Sequence, residues 1–164
     1  MMVRDYECDI QGIVNNSVYQ NYLEHCRHEF LHEMGLDFMQ MHENGIDAVV
    51  TRIEMEYKHP LRPRDVFMVK LGMHKQGRVR FVFDQAIYLK ADCQLILEAQ
   101  VTGVLTRSGR PVAPELFDRV FEERGWEFYV RFIRRDRTSW SRCENGVKNE
   151  LNAFVPAYLE AQLA

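Results

Sequence analysis

One stretch, residues 17 to 34, constrains the fold more than any other, because it has the pattern of a single long amphipathic helix. Ser17 is the expected N-cap, with Gln20 as its capping-box partner, and Gly35 is placed to end the helix in a left-handed conformation. At about 100° per residue, the apolar side chains fall on one stripe. That stripe consists of Tyr19, Tyr22, Leu23, Cys26, Phe30 and Met34. The helix therefore needs an apolar partner surface along its length.

The chain after this helix changes to a period of two, which is typical of half-buried strands. Four strands are predicted, at residues 52–58, 66–75, 78–89 and 95–106, and Pro60 and Pro63 lie in the turn after the first. A short strand at residues 2–8, a short helix or loop at 36–44 and a helix from Pro114 to Arg124 complete this part. A long helix followed by an antiparallel meander that curls around it predicts an α+β fold.

The last forty residues fit this plan less well. A strand is predicted at residues 126–133 and a helix at residues 147–162. Arginines cluster between residues 131 and 142, where they form either a solvated surface or a phosphate site. We therefore divide the chain into a domain at residues 1–124 and a C-terminal extension at residues 125–164, packed on or beside it.

The composition excludes several classes of protein. The net charge of −3 gives no basic footprint for nucleic acid. No apolar run approaches the roughly 20 residues of a membrane span, and the N-terminus lacks the apolar core of a signal peptide. The four cysteines show no metal or redox spacing. These features predict a reduced, cytoplasmic protein.

Asp9 lies just ahead of the helix, in a turn-rich segment with Gly12, Asn15 and Asn16. The start of a helix offers free backbone N–H groups and a partial positive charge, which can hold a developing oxyanion. A carboxylate beside it can attack an acyl carbon or activate water. The same residues also suit a plain turn, so both interpretations stay open at this point.

A longer signature runs from this turn into the helix: Asp9-x-x-Gly12-x-Val14-Asn15-Asn16-x-x-Tyr19, then Tyr22-Leu23-Glu24 and Arg27. It resembles the signature of the hotdog-fold acyl-CoA thioesterases, most closely the 4-hydroxybenzoyl-CoA thioesterase branch. Weaker similarities bring the resemblance to residues 3–124. It implies a hotdog fold, in which a curved antiparallel sheet wraps a long central helix. It also implies a homodimer or homotetramer with a continuous sheet and active sites at the dimer interface.

By this resemblance the chain hydrolyses an acyl-CoA, with no metal and no cofactor beyond the CoA of the substrate. Asp9 matches the catalytic acid, and the backbone N–H of Asn16 matches the group that polarises the carbonyl. The expected substrate-binding residues are Gly12, Val14, Asn15, Tyr19, Lys58 and Arg62. Lys58 and Arg62 are candidates for the CoA phosphates, as are Arg107 and Arg110, because all four lie at turns. Core packing is an equal expectation for Tyr19.

The chain departs from the family pattern in three places. Glu7 stands where many members have an acid of different length, and Ile13 and Asn16 stand where others have histidine. Only the backbone of Asn16 is therefore assigned a role. Glu24 and Arg27 flank the apolar stripe, where we expect a structural ion pair or an interface contact.

The sequence also fits two other functions. One is a hotdog module that binds acyl-CoA without hydrolysing it. The other is a zinc peptidase, because His28, Glu29 and His32 match the HExxH pattern. Against zinc, the third ligand of the metzincin pattern falls at Phe38, and only 27 residues precede the motif. The histidine pair also points away from the apolar stripe of the helix.

Overall fold

The structure is a computed structural model and describes residues 1–123. A single turn of 3₁₀ helix, Asp5–Glu7, precedes the main elements. The helices are α1 (Asn16–Glu33), α2 (Phe38–Glu43) and α3 (Glu115–Glu123). The strands are β1 (Ile46–Tyr57), β2 (Phe67–Gln76), β3 (Arg80–Leu89), β4 (Leu95–Arg107) and β5 (Arg110–Val112). The expected long helix on a curved antiparallel sheet is confirmed.

Helix α1 begins slightly earlier than the sequence pattern suggested. Asn15, and not Ser17, is the N-cap, and its Oδ1 accepts a hydrogen bond from the backbone N–H of Ser17 at 3.1 Å. Asparagine and serine cap helices about equally well, so the pattern alone did not separate the two. Gly35 ends the helix as predicted, with φ +76°.

The predicted strand at residues 2–8 is wrong. Only two isolated bridges form there, from Met2 to Val66 and from Cys8 to Val14. Between them the carboxylate of Glu7 accepts a hydrogen bond from the backbone N–H of Arg4 at 2.7 Å. That bond folds the intervening residues into a turn and prevents a continuous strand.

The sheet is not a simple meander, because its strand order is β1-β4-β3-β2. β2, β3 and β4 follow one another as predicted, but β1 pairs with β4 at the opposite edge from β2. The connection at residues 58–66 must therefore cross three strand spacings, roughly 14 Å at about 4.8 Å each. Nine residues reach roughly 30 Å when extended, so the connection is long enough to cross.

The sequence pattern ended the strands at residue 106, but the structure adds a short fifth strand, β5, directly after β4. Residues Ser108 and Gly109 have φ +51° and +73°, which is the backbone of a type I′ hairpin turn. The turn brings β5 back along the end of β4, so that Arg107 pairs with Arg110 and Leu105 pairs with Val112.

The core lies between α1 and the inner face of the sheet. Helix α1 contributes Tyr22, Leu23, Cys26 and Leu31 to it. The sheet contributes alternate residues of three strands, which are Phe67, Leu71, Met73, Phe81, Phe83, Ile87, Leu97, Val101 and Leu105. Phe117 of α3 closes one end, with its ring 5.1 Å from that of Phe81.

One polar contact crosses this core. Arg27 of α1 is only 8% exposed, and its Nη1 donates to Oε1 of Gln85 on β3 at 2.8 Å. Nε2 of Gln85 donates in turn to the backbone oxygen of Leu23 at 2.9 Å. Arg27 therefore does not pair with Glu24, which lies 3.9 Å from His28 on the exposed side.

Strand β1 is exposed although it carries large apolar side chains. Those at least 40% exposed are Val49, Val50, Ile53 and Tyr57. A bulge at Thr51 shifts its register against β4, and the hydroxyl of Thr51 donates to the backbone oxygen of Thr102 at 3.2 Å.

In the part of the chain that the structure describes, no helix is both long and apolar enough to cross a membrane. The predicted strand at 126–133, the helix at 147–162, the arginine cluster and the extension at 125–164 all lie outside the described residues.

Candidate active site

The segment ahead of α1 is a tight hairpin. The backbone N–H of Asp9 donates to the oxygen of Ile13 at 2.9 Å, Cys8 bridges to Val14, and the N–H of Asn15 donates to the oxygen of Glu7 at 3.0 Å. Three successive backbone pairs therefore connect Asp9 to the residue that caps the helix.

Gly12 makes this hairpin possible, because its φ of +71° is a conformation that other residues adopt at a cost. Its N–H donates to the oxygen of Asp9 at 3.0 Å. The structure thus gives Gly12 a role in shaping the turn. Val14 is buried, and its N–H donates to the oxygen of Leu61 at 2.9 Å, which ties the hairpin to the turn after β1.

The carboxylate of Asp9 is held by one oxygen and available at the other. Oδ1 accepts hydrogen bonds from the backbone N–H of Gln11 at 2.8 Å and of Ile13 at 3.4 Å. No described residue donates a hydrogen bond to Oδ2. The side chain is partly exposed, so a substrate or a water molecule can reach this second oxygen.

The start of α1, where the hairpin ends, supplies a donor that is unpaired within residues 1–123. Asn15 uses its side chain to cap Ser17, and its backbone oxygen accepts the N–H of Val18. The backbone N–H of Asn16 donates to no acceptor among the described residues. It lies at the positive end of the helix dipole, where negative charge is stabilised.

The structure places Tyr19 in the core. It is 3% exposed, and its phenol oxygen accepts the backbone N–H of Leu61 at 3.0 Å. Burial raises the pKa of this phenol, so it stays protonated at neutral pH. Tyr19 therefore holds the turn after β1 against the helix, which is the packing alternative of the sequence analysis.

Tyr57 reaches the site although the sequence analysis assigned it no role there. It ends β1, its ring packs edge-on against Tyr19 at 5.5 Å, and its hydroxyl donates to the backbone oxygen of Asn16 at 3.4 Å. Its place just before the proline-containing turn was the one available signal, because that turn returns the chain to the hairpin.

Two of the four predicted phosphate ligands, Lys58 and Arg62, differ in their surroundings. Nζ of Lys58 lies 2.5 Å from Oε1 of Glu56 and 3.6 Å from Oε2 of Glu98, and these carboxylates raise its pKa. Its charge is thus already balanced. Arg62 has an exposed side chain, and its backbone N–H is held by Asp65 at 2.8 Å. Arg62 is one residue from Leu61, which binds the hairpin.

The histidines of the HExxH pattern lie on α1, away from the hairpin. The ring of His28 packs against Phe38 at 5.0 Å. Among residues 1–123, no three histidine, cysteine, aspartate or glutamate side chains are arranged to hold a metal ion. The zinc interpretation gains no support from the geometry.

Comparison with known proteins agrees with this fold. A model of the family described as the thioesterase-like superfamily matches residues 3–124, and the chain belongs to that family. The matched range covers α1, the whole sheet and α3.

Individual relatives carry related names. An Arabidopsis thaliana acyl-acyl carrier protein thioesterase is 38% identical over 137 residues, covering 83% of this chain and 68% of its own. A second one from the same plant is 36% identical, and this chain spans 55% of its length. The long-chain acyl-CoA thioesterase FadM of Escherichia coli is 28% identical, with 62% and 76% covered.

Solved structures show the same fold. A hypothetical protein from Aquifex aeolicus superposes with a TM-score of 0.67 at 31% identity, covering 73% of this chain and 94% of that one. The probable thioesterase YbaW of Escherichia coli gives 0.65 at 25%, covering 77% and 94%. The chain is thus a thioester hydrolase with the hotdog fold.

Proposed function

We propose that this chain hydrolyses the thioester of an acyl-CoA, with Asp9 as the catalytic carboxylate and the backbone N–H of Asn16 as the carbonyl-polarising donor. The observation that carries the proposal is the pair of unused groups at the start of α1. Oδ2 of Asp9 is an acceptor and Asn16 N–H is a donor, and neither has a partner among the described residues. The hairpin joins the two residues, with Asp9 in its first arm and Asn16 directly after its second arm.

The chemistry needs only these two groups. Water attacks the carbonyl carbon while Asp9 accepts one of its protons, or Asp9 attacks first and water hydrolyses the resulting anhydride. In either case the negative charge that develops on the carbonyl oxygen faces the Asn16 N–H, and one such donor is worth about 3 kcal/mol. In the first route the carbon–sulfur bond then breaks, and the thiolate takes the proton that Asp9 accepted. In the second route that bond breaks as the anhydride forms, and the thiolate takes a proton from water. The proposed reaction uses no cofactor besides the CoA of the substrate.

The group that carries the acyl chain is either CoA or acyl carrier protein. The Arabidopsis relatives are named for acyl carrier protein and the Escherichia coli relative for acyl-CoA. Both carriers present an acyl thioester, so the same two groups serve either reaction. We propose acyl-CoA as the substrate, and acyl carrier protein is the alternative that these relatives favour.

We further propose that the chain forms a homodimer through the free edge of β1. That edge exposes unpaired backbone groups and four large apolar side chains, which is a template for pairing. Sedimentation as a dimer that Ile53→Glu dissociates would support this proposal. Val66→Glu is the control, because Val66 is equally exposed but lies outside β1. A monomer in the unmodified protein would contradict it. A cytoplasmic location stays a prediction.

The experiment that tests the function is thiol release from a panel of short, long and aromatic acyl-CoAs and acyl carrier proteins. Asp9→Asn keeps the shape and the Oδ1 acceptor, and we expect it to lower the rate roughly 10²- to 10⁴-fold. Asp5→Asn is the matched control, because it removes the same charge from an exposed position in the preceding turn.

Each outcome separates the alternatives. Release that survives a chelator, falls in Asp9→Asn and persists in Asp5→Asn supports the proposal. Equal rates in all three proteins would remove Asp9 from the mechanism. Saturable acyl-CoA binding without release would instead indicate the binding module.

A further inference from the structure

Glu7 is a buried carboxylate that the proposed chemistry does not use. It is only 8% exposed, and its Oε2 accepts the hydroxyl of Tyr22 at 2.6 Å and the backbone N–H of Arg4 at 2.7 Å. The Arg4 guanidinium lies 3.3 Å from Oε1, but it is 62% exposed, so this ion pair contributes little. Because a buried charge is costly without partners, the two bonds to Oε2 must hold it in place.

Glu7 is attached to α1 at two separate points. Its backbone oxygen accepts the N–H of Asn15, which caps the helix, and its side chain accepts the hydroxyl of Tyr22. Seven residues separate these points, or roughly 10 Å along the helix axis. Two attachments fix the direction of the segment relative to the helix, whereas one would leave it free to pivot.

The segment so fixed leads directly to the proposed catalytic acid. Asp9 follows Glu7 by two residues, and Asn16 follows the Asn15 cap by one. Tyr22 is held in turn, since its ring packs against Phe67 at 4.6 Å. Burial and the bond to Glu7 raise the pKa of the Tyr22 hydroxyl, so it remains a donor throughout the neutral range.

We propose that Glu7 is a positioning residue for thioester hydrolysis, which through Tyr22 sets the place of Asp9 against the start of α1. The inference rests on the proposed role of Asp9. Displacements of about 1 Å between reacting groups can cost about 100-fold in rate, so a lost attachment should be visible in turnover.

The test uses two variants that preserve shape. Tyr22→Phe keeps the ring that packs on Phe67 and removes only the donor. Glu7→Gln keeps the side-chain length and removes the charge. For each we expect kcat about 10- to 100-fold lower with KM little changed, measured well below the melting temperature. Tyr6→Phe is the control, because Tyr6 is an exposed tyrosine beside Glu7.

Coupling between the variants is the sharper readout. The double variant should lose no more kcat than the more damaging single variant, because Tyr22→Phe removes and Glu7→Gln weakens the same hydrogen bond. In an Asp9→Asn background, neither change should lower the residual rate further. A purely structural role would lower the melting temperature and leave kcat unchanged.

The outcomes distinguish this inference from the proposed function. An inactive Asp9→Asn beside wild-type kcat in Glu7→Gln and Tyr22→Phe would overturn the positioning role alone. A raised KM with unchanged kcat would also overturn it, since that pattern indicates substrate contact. Full activity in Asp9→Asn would overturn both.

Discussion

Two groups of polar residues, one in the middle of helix α1 and one around its start, differ in how their hydrogen-bonding groups are used. In its middle, Arg27, Gln85 and the Leu23 oxygen bind one another inside the core. At its start, Asp9 and Asn16 each keep one group that no described residue occupies. The first arrangement uses its polar groups to hold the helix to β3, and the second leaves one group of each residue unpaired, within the described chain, for the substrate that we propose. The buried polar contact and the proposed site thus differ in whether their hydrogen-bonding groups are already paired within the described residues.

The largest change in stability that tests this contrast is expected from a substitution of Gln85. Gln85→Leu leaves the buried Arg27 guanidinium without its acceptor, which should cost about 3 kcal/mol of unfolding free energy. The kcat of the folded fraction should stay unchanged. Urea denaturation and thiol release measure the two quantities. Gln100→Leu is the control: Gln100 bonds a partly buried Asp84 at 2.6 Å, and about 1 kcal/mol is expected. A Gln85→Leu variant with unchanged stability would contradict the structural role of the Arg27–Gln85 contact.

Tyr19 lies on α1 between these two groups, and a substitution there tests whether its role is structural or in substrate binding. Tyr19→Phe removes the acceptor of the buried Leu61 N–H, so we expect a loss of about 2 kcal/mol in stability. Because the hydroxyl is already occupied, kcat should change by less than about threefold. A large fall in kcat with normal stability would return Tyr19 to the substrate-binding residues that the resemblance implied.

At neutral pH the smallest effect is expected from Cys26, whose contribution to pH dependence appears only in alkali. Burial raises the pKa of its thiol to about 12. The unfolded chain loses this proton near pH 9.0, so the stabilising difference is complete below that value and is lost as the pH rises toward 12. Urea midpoints between pH 7 and 11 should therefore fall more steeply in the wild type than in Cys26→Ala. Parallel slopes would contradict the burial of the thiol.

Much of this architecture could be predicted from local sequence. The apolar stripe located α1 to within about a residue at each end, and the alternation of β2, β3 and β4 followed directly from the period of two. The turn chemistry around Asp9 and Gly12 was equally local. In each case neighbouring residues determine the conformation.

What could not be predicted depends on distant residues. Arg27 and Gln85 are 58 positions apart, and no local pattern indicates that they meet. The position of β1 depended on whether the residues around Pro60 and Pro63 turn back at once or cross the sheet, and both options satisfy the proline constraints. The role of Tyr57 followed from that crossing.

The strand order has a consequence for synthesis of the chain on the ribosome. Tyr57 pairs with Leu97 and Ile46 with Arg107, so β1 emerges about 40 to 60 residues before its partner strand. At roughly 5–20 residues per second, it waits for roughly 2 to 12 seconds with both edges open. The charges of Arg52, Glu54 and Glu56, which alternate with its apolar residues, oppose aggregation during that interval. Nascent chains that stall between residues 60 and 95 should be the most prone to misassembly.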